Sequence, residues 1–161
     1  MPDMEQLDID LPEIQEIDPH AVIRAKLQSA FSHLNGEFIV EDTSLYFNCL
    51  HGLPGPLIKW FMKTIGNDGL TEITEKFQNN KAVAKTIIGY AKSGEEFTFF
   101  EGSLNGTIVK ARGEFDFGWG PIFVAEGLKK TFAEITREEK YAISMRKKAF
   151  EQLKEFLNKN K

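Results

Sequence analysis

The stretch AVAKTIIGYAKSGEEFTFFEGSLNGTIVK, residues 82–110, carries the clearest fold signal in the chain. β-Branched and aromatic residues fill three runs within it, at 82–91, 97–100 and 107–110. Ser93-Gly94 and Asn105-Gly106 separate these runs, and such dipeptides are typical of hairpin turns. The stretch therefore predicts an antiparallel meander.

Helical patterns flank this meander on both sides. Asp18-Pro19 is a typical helix start, because the Asp side chain can cap free amides and Pro tolerates the first helical position. Apolar residues then recur at helical spacing over 23–31, and again over 58–65. Residues 7–11 and 37–40 predict two short strands. The mixture, in 161 residues, indicates one α/β or α+β domain.

The start of the last helix has two plausible positions. Thr136 and Glu139 fit a capping box, in which each side chain bonds the other residue's backbone amide. Ser144 is an equally good cap for a helix that begins two turns later. Spacing alone does not distinguish them.

Composition excludes several classes of protein. The formal charge of −4 and the pI of about 5.5 argue against a broad nucleic-acid surface. Cys49 is the single cysteine, so an intrachain disulfide is excluded and a reducing compartment is the simpler inference. No stretch approaches the roughly 20 apolar residues of a membrane span. We expect a cytoplasmic protein that binds neither nucleic acid nor membrane.

Two adjacent acids directly follow the strand predicted at 37–40. Successive strand side chains point to opposite faces, so at most one of Glu41 and Asp42 faces a given site. Solvated acids at a strand end are the plain alternative. However, ligands collect outside the carboxyl ends of strands, where a carboxylate can hold Mg²⁺ or orient a water. Glu13 is a candidate second ligand.

Two further groups suit nucleotide binding, and each has a plainer explanation. Phe117 and Trp119 flank Gly118, and an aromatic face beside a close backbone can stack on a base. The alternative is that both rings belong to the core. Lys140 and Arg146 can bind phosphate or base oxygens, although solvated charge is the default on so basic a helix.

Several motifs occur in a recognisable order along the chain. They are IDLPEIQ (9–15), VEDTSL (40–45), LPGP (53–56) with IKWF (58–61), ARG (111–113) with DFGW (116–119), TFAE (131–134), and EK (139–140) with AIS (142–144). Together they resemble the inosine triphosphate pyrophosphatase family over residues 7–157. The resemblance implies a single α/β domain with a long mixed sheet, helices on its faces and a cleft between two lobes.

The resemblance also implies an activity, a cofactor and a set of site residues. The activity is Mg²⁺-dependent hydrolysis of inosine, deoxyinosine or xanthosine triphosphate to the monophosphate and pyrophosphate, by a protein that is typically a homodimer. Asp42 matches the residue that acts on the attacking water and holds metal, and Glu13 matches a metal ligand. The implied substrate-binding residues are Lys26, Thr43, Ser44, Phe117, Gly118, Trp119, Gly120, Lys140, Met145 and Arg146.

Three departures from the family pattern affect this expectation. The family opens with a strand and a Ser/Thr-x-Asn-x-x-Lys phosphate loop that have no counterpart before Glu13, so we expect a chain truncated at its N-terminus relative to the family. Gly120 and Met145 stand where the family has an aspartate and a histidine. The alternative function is therefore a catalytically impaired homologue that binds a nucleotide or a protein partner.

Overall fold

The computed structural model describes residues 4–114 and 118–160, within which five strands form one antiparallel sheet. The strand order is β2-β1-β3-β4-β5. The strands are β1 (Phe38–Phe47), β2 (Pro54–Gly55), β3 (Lys81–Ala91), β4 (Phe97–Ile108) and β5 (Phe123–Ala125), and the helices are α1 (Pro19–His33), α2 (Ile58–Thr64), α3 (Gly66–Lys76), α4 (Arg137–Ile143) and α5 (Met145–Lys159). None of the helices in these residues is long and apolar enough to cross a membrane.

The antiparallel pairing is confirmed, but the stretch forms a hairpin of two strands, β3 and β4, and not the three-run meander that was predicted. β3 and β4 pair from Lys81↔Thr107 to Ala91↔Phe97, around the turn that contains Ser93-Gly94. The second expected turn is absent, because β4 runs without a break through Asn105-Gly106. A Cβ on Gly106 would lie 2.4 Å from the Val124 carbonyl oxygen of β5. That glycine therefore permits close strand packing rather than a turn.

β1 is longer than the strand predicted at 37–40, and this overturns one expectation about the site. All ten of its residues pair with β3, from Phe38↔Ala91 to Phe47↔Ala82. Glu41 and Asp42 therefore lie in the middle of a strand and not at its end. Ser44, Leu45 and Phe47 further along the strand are buried, and buried backbone groups require hydrogen-bond partners, which β3 supplies.

The strand predicted at residues 7–11 does not form. Residues 4–16 contain no helix or strand, and Leu7 remains 43% exposed. A strand needs a neighbouring strand to bond its backbone groups. Residues 7–11 do not pair with the outer edge of β1, and β2 pairs with that edge only at Leu45 and Tyr46.

The α/β class is confirmed, but the described strand pairs are all antiparallel, where a mixed sheet was expected. The cleft between lobes stays a prediction.

Two long helices cover opposite faces of the sheet. Ile23, Leu27 and Ala30 of α1 are at most 2% exposed and pack against Phe38 of β1 and Ile87 of β3. On the other face, α5 packs through its own apolar stripe against β3 and β4; the buried residues of this contact are Ile88, Tyr90, Phe100, Ala149 and Leu153. We call these the α1 face and the α5 face.

Both candidate caps near the last helix are used. Thr136 and Glu139 form the capping box of α4, with each side chain bonded to the other residue's backbone N–H. Ser144 ends α4 and caps α5, its hydroxyl accepting from the Lys147 N–H at 3.1 Å. Two helices therefore stand where one was expected. The Asp18 cap of α1 is confirmed, since its carboxylate accepts from the His20 N–H at 2.9 Å.

Candidate active site

β1 sends its consecutive side chains to different faces of the sheet, as predicted for the pair Glu41 and Asp42. Asp42 points to the α1 face, where it meets Lys26. Glu41 points to the α5 face, where it meets Arg146. The strand thus separates two groups of predicted site residues, and each group has its own surroundings.

We use the name carboxylate cluster for Lys26, Asp42, Ser44 and Glu13; the first three are in direct contact, and Glu13 is linked to them through the charge of Lys26. The Lys26 Nζ donates to Asp42 Oδ1 at 2.8 Å, and these side chains are only 10% and 18% exposed. The Ser44 hydroxyl donates to the other carboxylate oxygen at 3.3 Å. Two donors therefore fix the orientation of the Asp42 carboxylate.

Glu13 reaches this cluster from the irregular segment that precedes α1. Its carboxylate accepts a hydrogen bond from the Lys59 Nζ of α2. This bond is the main cause that lowers the pKa of Glu13; burial opposes it, and the charges of Lys26, Lys59 and Lys63 add to it. Lys59 is a site residue that the sequence patterns did not predict. Its place in the IKWF motif, close after LPGP, was the available signal.

An open cavity of about 550 Å³ lies beside Glu13. Its lining residues are Asp10, Leu11, Pro12, Glu13, Ser29, Lys59 and Trp60. Among the described residues, no group of three His, Cys, Asp or Glu side chains gathers to hold a metal. Glu13 and Asp42 nevertheless offer hard oxygen ligands, and Mg²⁺ is commonly bound by one or two carboxylates together with waters and substrate phosphates. The donor set fits that mode of binding.

On the α5 side of the sheet, several expected base-binding residues gather around Phe132. Trp119 is 3% exposed, and its ring lies 5.4 Å from Phe123 and 6.2 Å from Phe132. The Lys140 Nζ lies 5.2 Å from the Phe132 ring, and Met145 packs in the same core cluster. In this structure Trp119 is a core residue, and its role in base stacking stays a prediction.

The remaining predicted residues divide between loop and strand. Phe117 lies outside the described residues. The Gly118 carbonyl accepts from the Asn67 side chain at 3.1 Å, and Gly120 is buried in the short turn that follows. Thr43 shares a hydrogen bond of 2.9 Å with Thr86 on the α5 face. The substrate role of each of these residues stays a prediction.

Arg146 lies at the start of α5 and binds Glu41 through two atoms. Its Nε donates to Oε2 at 2.9 Å, and its Nη2 lies 2.7 Å from Oε1. A guanidinium group has five N–H donors. Three N–H donors of Arg146 therefore remain after this paired contact, which leaves the side chain able to bind an oxygen of a ligand.

Part of the outer edge of β1 is left open next to these residues. The Phe47 N–H donates to Leu53 and its carbonyl accepts from Gly52, both at 3.0 Å, on the β2 side. Alternate residues of a strand direct their backbone groups the same way. Ile39, Glu41 and Thr43 therefore direct their N–H and C=O groups outward, where no other part of the described chain bonds them.

These features define an α/β protein with a lysine-paired carboxylate on the second strand of its sheet. A model of the Ham1 family matches residues 1–156, and the chain belongs to this family. It is 40% identical over 151 residues to the inosine triphosphate pyrophosphatase of Puccinia graminis f. sp. tritici, covering 94% of this chain and 78% of that protein. The corresponding protein of Schizosaccharomyces pombe is 41% identical over 155 residues, covering 96% and 82%. The resemblance found in the sequence is confirmed.

Solved structures agree with this assignment. The Staphylococcus aureus Ham1 protein superposes with a TM-score of 0.81 at 28% identity, covering 96% of this chain and 83% of that one. A nucleoside-triphosphatase, also described as a dITP/XTP pyrophosphatase, from Mycobacterium abscessus gives a TM-score of 0.71 at 25% identity, covering 94% and 82%. The fold is therefore shared with proteins whose names describe nucleotide hydrolysis.

Proposed function

We propose that this chain is a single-domain nucleoside triphosphate pyrophosphatase acting on non-canonical purine nucleotides. Inosine, deoxyinosine and xanthosine triphosphates would be cleaved to the monophosphate and pyrophosphate. The carboxylate cluster supports the proposal, because Asp42 of the VEDTSL motif accepts hydrogen bonds from Lys26 and Ser44, and the charge of the same Lys26 acts on Glu13. Relatives that are 40% and 41% identical bear the name of this activity. A cytoplasmic location belongs to the same proposal.

Each residue of the carboxylate cluster has a different role in the proposed hydrolysis. Asp42 is the general base that orients the attacking water and accepts its proton, and its position is fixed by Lys26 and Ser44. Glu13 and Asp42 would hold Mg²⁺, which supplies neutralisation of the phosphate charge when bound. The Lys26 ammonium would also bind a phosphate oxygen of the substrate. Positioning and charge, rather than covalent chemistry, would provide the rate.

The test is pyrophosphate release from inosine, xanthosine and guanosine triphosphates with Mg²⁺. Asp42→Asn should lose at least about a hundredfold in kcat, since general-base catalysis typically contributes that much. Asp68→Asn, an exposed acid on α3, is the matched control and should keep the wild-type rate. Equal rates for Asp42→Asn and wild type would refute the assignment of Asp42.

A second candidate is a catalytically impaired homologue that binds a nucleotide. The observation favouring it is that Gly120 and Met145 are buried and place no hydrogen-bonding side chain at the two positions where the family has an aspartate and a histidine. Calorimetry with inosine triphosphate would then show binding, while no pyrophosphate is released. Turnover that is lost in Asp42→Asn would rule this candidate out.

We further propose a homodimer, formed through the part of the α1 face that α1 leaves open. A cavity of about 830 Å³ lies there, and its lining includes Tyr46, Val83 and the 40%-exposed Leu128. Lys81 and Glu126 lie in the same lining with opposite charges, which suits a self-complementary contact across a two-fold axis. An apolar surface with polar neighbours is typical of such interfaces.

Light scattering tests this dimer directly. Val83→Arg would place a charge inside the contact and should give a monomer. Glu155→Arg, on the exposed side of α5, is the control and should keep the wild-type mass. A wild-type monomer at high concentration, or a dimer that survives Val83→Arg, would refute this contact.

A further inference from the structure

The two acids proposed to hold metal are both occupied by lysines in this structure. Asp42 is paired with Lys26 of α1, and Glu13 is paired with Lys59 of α2. A carboxylate oxygen that accepts from an ammonium group has to exchange that contact, wholly or in part, when it becomes a metal ligand. The state of each lysine therefore affects how readily a cation enters.

The two pairs differ in how tightly they are held. Lys26 and Asp42 are 10% and 18% exposed, whereas Lys59 and Glu13 are 48% and 41% exposed. α2 is a short helix of seven residues with one buried side chain, Ile58. A lysine has a flexible four-carbon stem, so a half-exposed ammonium can move into solvent at little cost. Of the two lysines, Lys59 can therefore break its ion pair more easily.

We propose that Lys59 is a positioning residue that holds the Glu13 carboxylate while no metal is bound and must release it for Mg²⁺ to bind. The inference rests on the proposed function, because it takes Glu13 as a metal ligand. It adds a residue and a competition that the carboxylate pair alone does not imply. The competition is between one ammonium and one divalent cation for the same carboxylate, whose Oε2 accepts from Lys59.

The competition predicts the sign of a mutational effect. Removing an ion pair that merely keeps Glu13 in place would leave metal affinity unchanged or weaken it. If Lys59 instead competes with the cation for Glu13, removing its ammonium group should increase the metal affinity. Half-exposed pairs contribute modestly, so Lys59→Met should tighten metal binding by about twofold to fivefold. Lys59→Arg keeps the charge beside Glu13 and should stay close to the wild-type affinity.

Lys63 provides a matched control on the same helix. The charges of both lysines act on Glu13, but of the two it is Lys59 that donates a hydrogen bond to that carboxylate. Lys63→Met removes the same formal charge one helical turn further along. It should change the affinity by less than about 1.5-fold at moderate salt, because screening weakens interactions between separated exposed charges.

The experiment titrates the protein with Mn²⁺ alone, without nucleotide, and measures the concentration of free ion by electron paramagnetic resonance. Tighter binding in Lys59→Met, with Lys63→Met and Lys59→Arg near wild type, supports the proposal. Unchanged or weaker binding in Lys59→Met overturns it, as does an equal gain in Lys63→Met. A wild-type protein that binds no Mn²⁺ overturns the metal site and this inference together. Circular dichroism of each variant confirms that it is folded.

Discussion

The ion pair between Lys26 and Asp42 makes a strong prediction about stability as well as about catalysis. Asp42→Asn would leave the Lys26 ammonium largely buried without its counter-charge, and Lys26→Met would leave a carboxylate bonded only by Ser44. Each single change therefore removes one partner and strands the other. The double change removes both charges, and most of the penalty should disappear.

The magnitude follows from the exposure of the two side chains. Breaking a fully buried pair costs about 3–5 kcal/mol, whereas exposed pairs are worth about 0.2–1 kcal/mol. At 10% and 18% exposure, Lys26 and Asp42 lie nearer the buried limit. We expect each single variant to lose about 1.5–3 kcal/mol. For a chain of this size, that loss lowers Tm by about 3–12 °C.

The assay is a double-mutant cycle from urea unfolding at pH 7, with a second cycle as the internal standard. Lys85 and Glu101 form a comparable pair on the same sheet face, with a distance of 3.0 Å but side chains that are 30% and 38% exposed. Their coupling energy should stay below about 1 kcal/mol. A Lys26–Asp42 coupling no larger than that of Lys85 and Glu101 would refute the reasoning from burial.

Two further predictions concern packing and pH. A Cβ on Gly102 would lie 1.9 Å from the backbone oxygen of Met145, so Gly102→Ala should cost at least about 2 kcal/mol in urea unfolding, whereas Gly94→Ala, in open space, should stay within about 0.5 kcal/mol. Burial, and then the contact with Glu37, raises the pKa of Tyr90 above its usual 10.0. The stability that this shift contributes is present below pH 10 and is lost as pH rises through the higher folded value. Tyr90→Phe should therefore flatten the decline in unfolding free energy measured above pH 10, and a decline equal to that of wild type would contradict this.

Local chemistry was enough to predict three helix caps and the antiparallel hairpin of β3 and β4. Asp18, Thr136 and Ser144 each cap a helix because their side chains compete for nearby amides, an interaction within four residues of sequence. The turn predicted at Asn105-Gly106 was wrong because the role of this glycine depends on a distant contact. Its glycine serves a contact with β5, which lies 18 residues further along, and no local pattern reveals that partner.

The site residues were named from motifs, but their geometry required the fold. The sequence showed that Glu41 and Asp42 face opposite ways, and the structure confirmed it. It could not show that β1 continues to Phe47, because that length depends on pairing with β3. Lys59 was missed because its partner, Glu13, precedes it by 46 residues.

Because side chains alternate along β1, an insertion or deletion would affect the site differently from a substitution. If β1 stays hydrogen-bonded to β3, adding or removing one residue between Phe38 and Glu41 would shift the following side chains by one place and turn them to the other face. In either case Asp42 would point toward α5. A deletion would place Thr43 opposite Lys26, and an insertion would place Glu41 there. A change of one codon in length would exchange the two sides of the site without altering its composition.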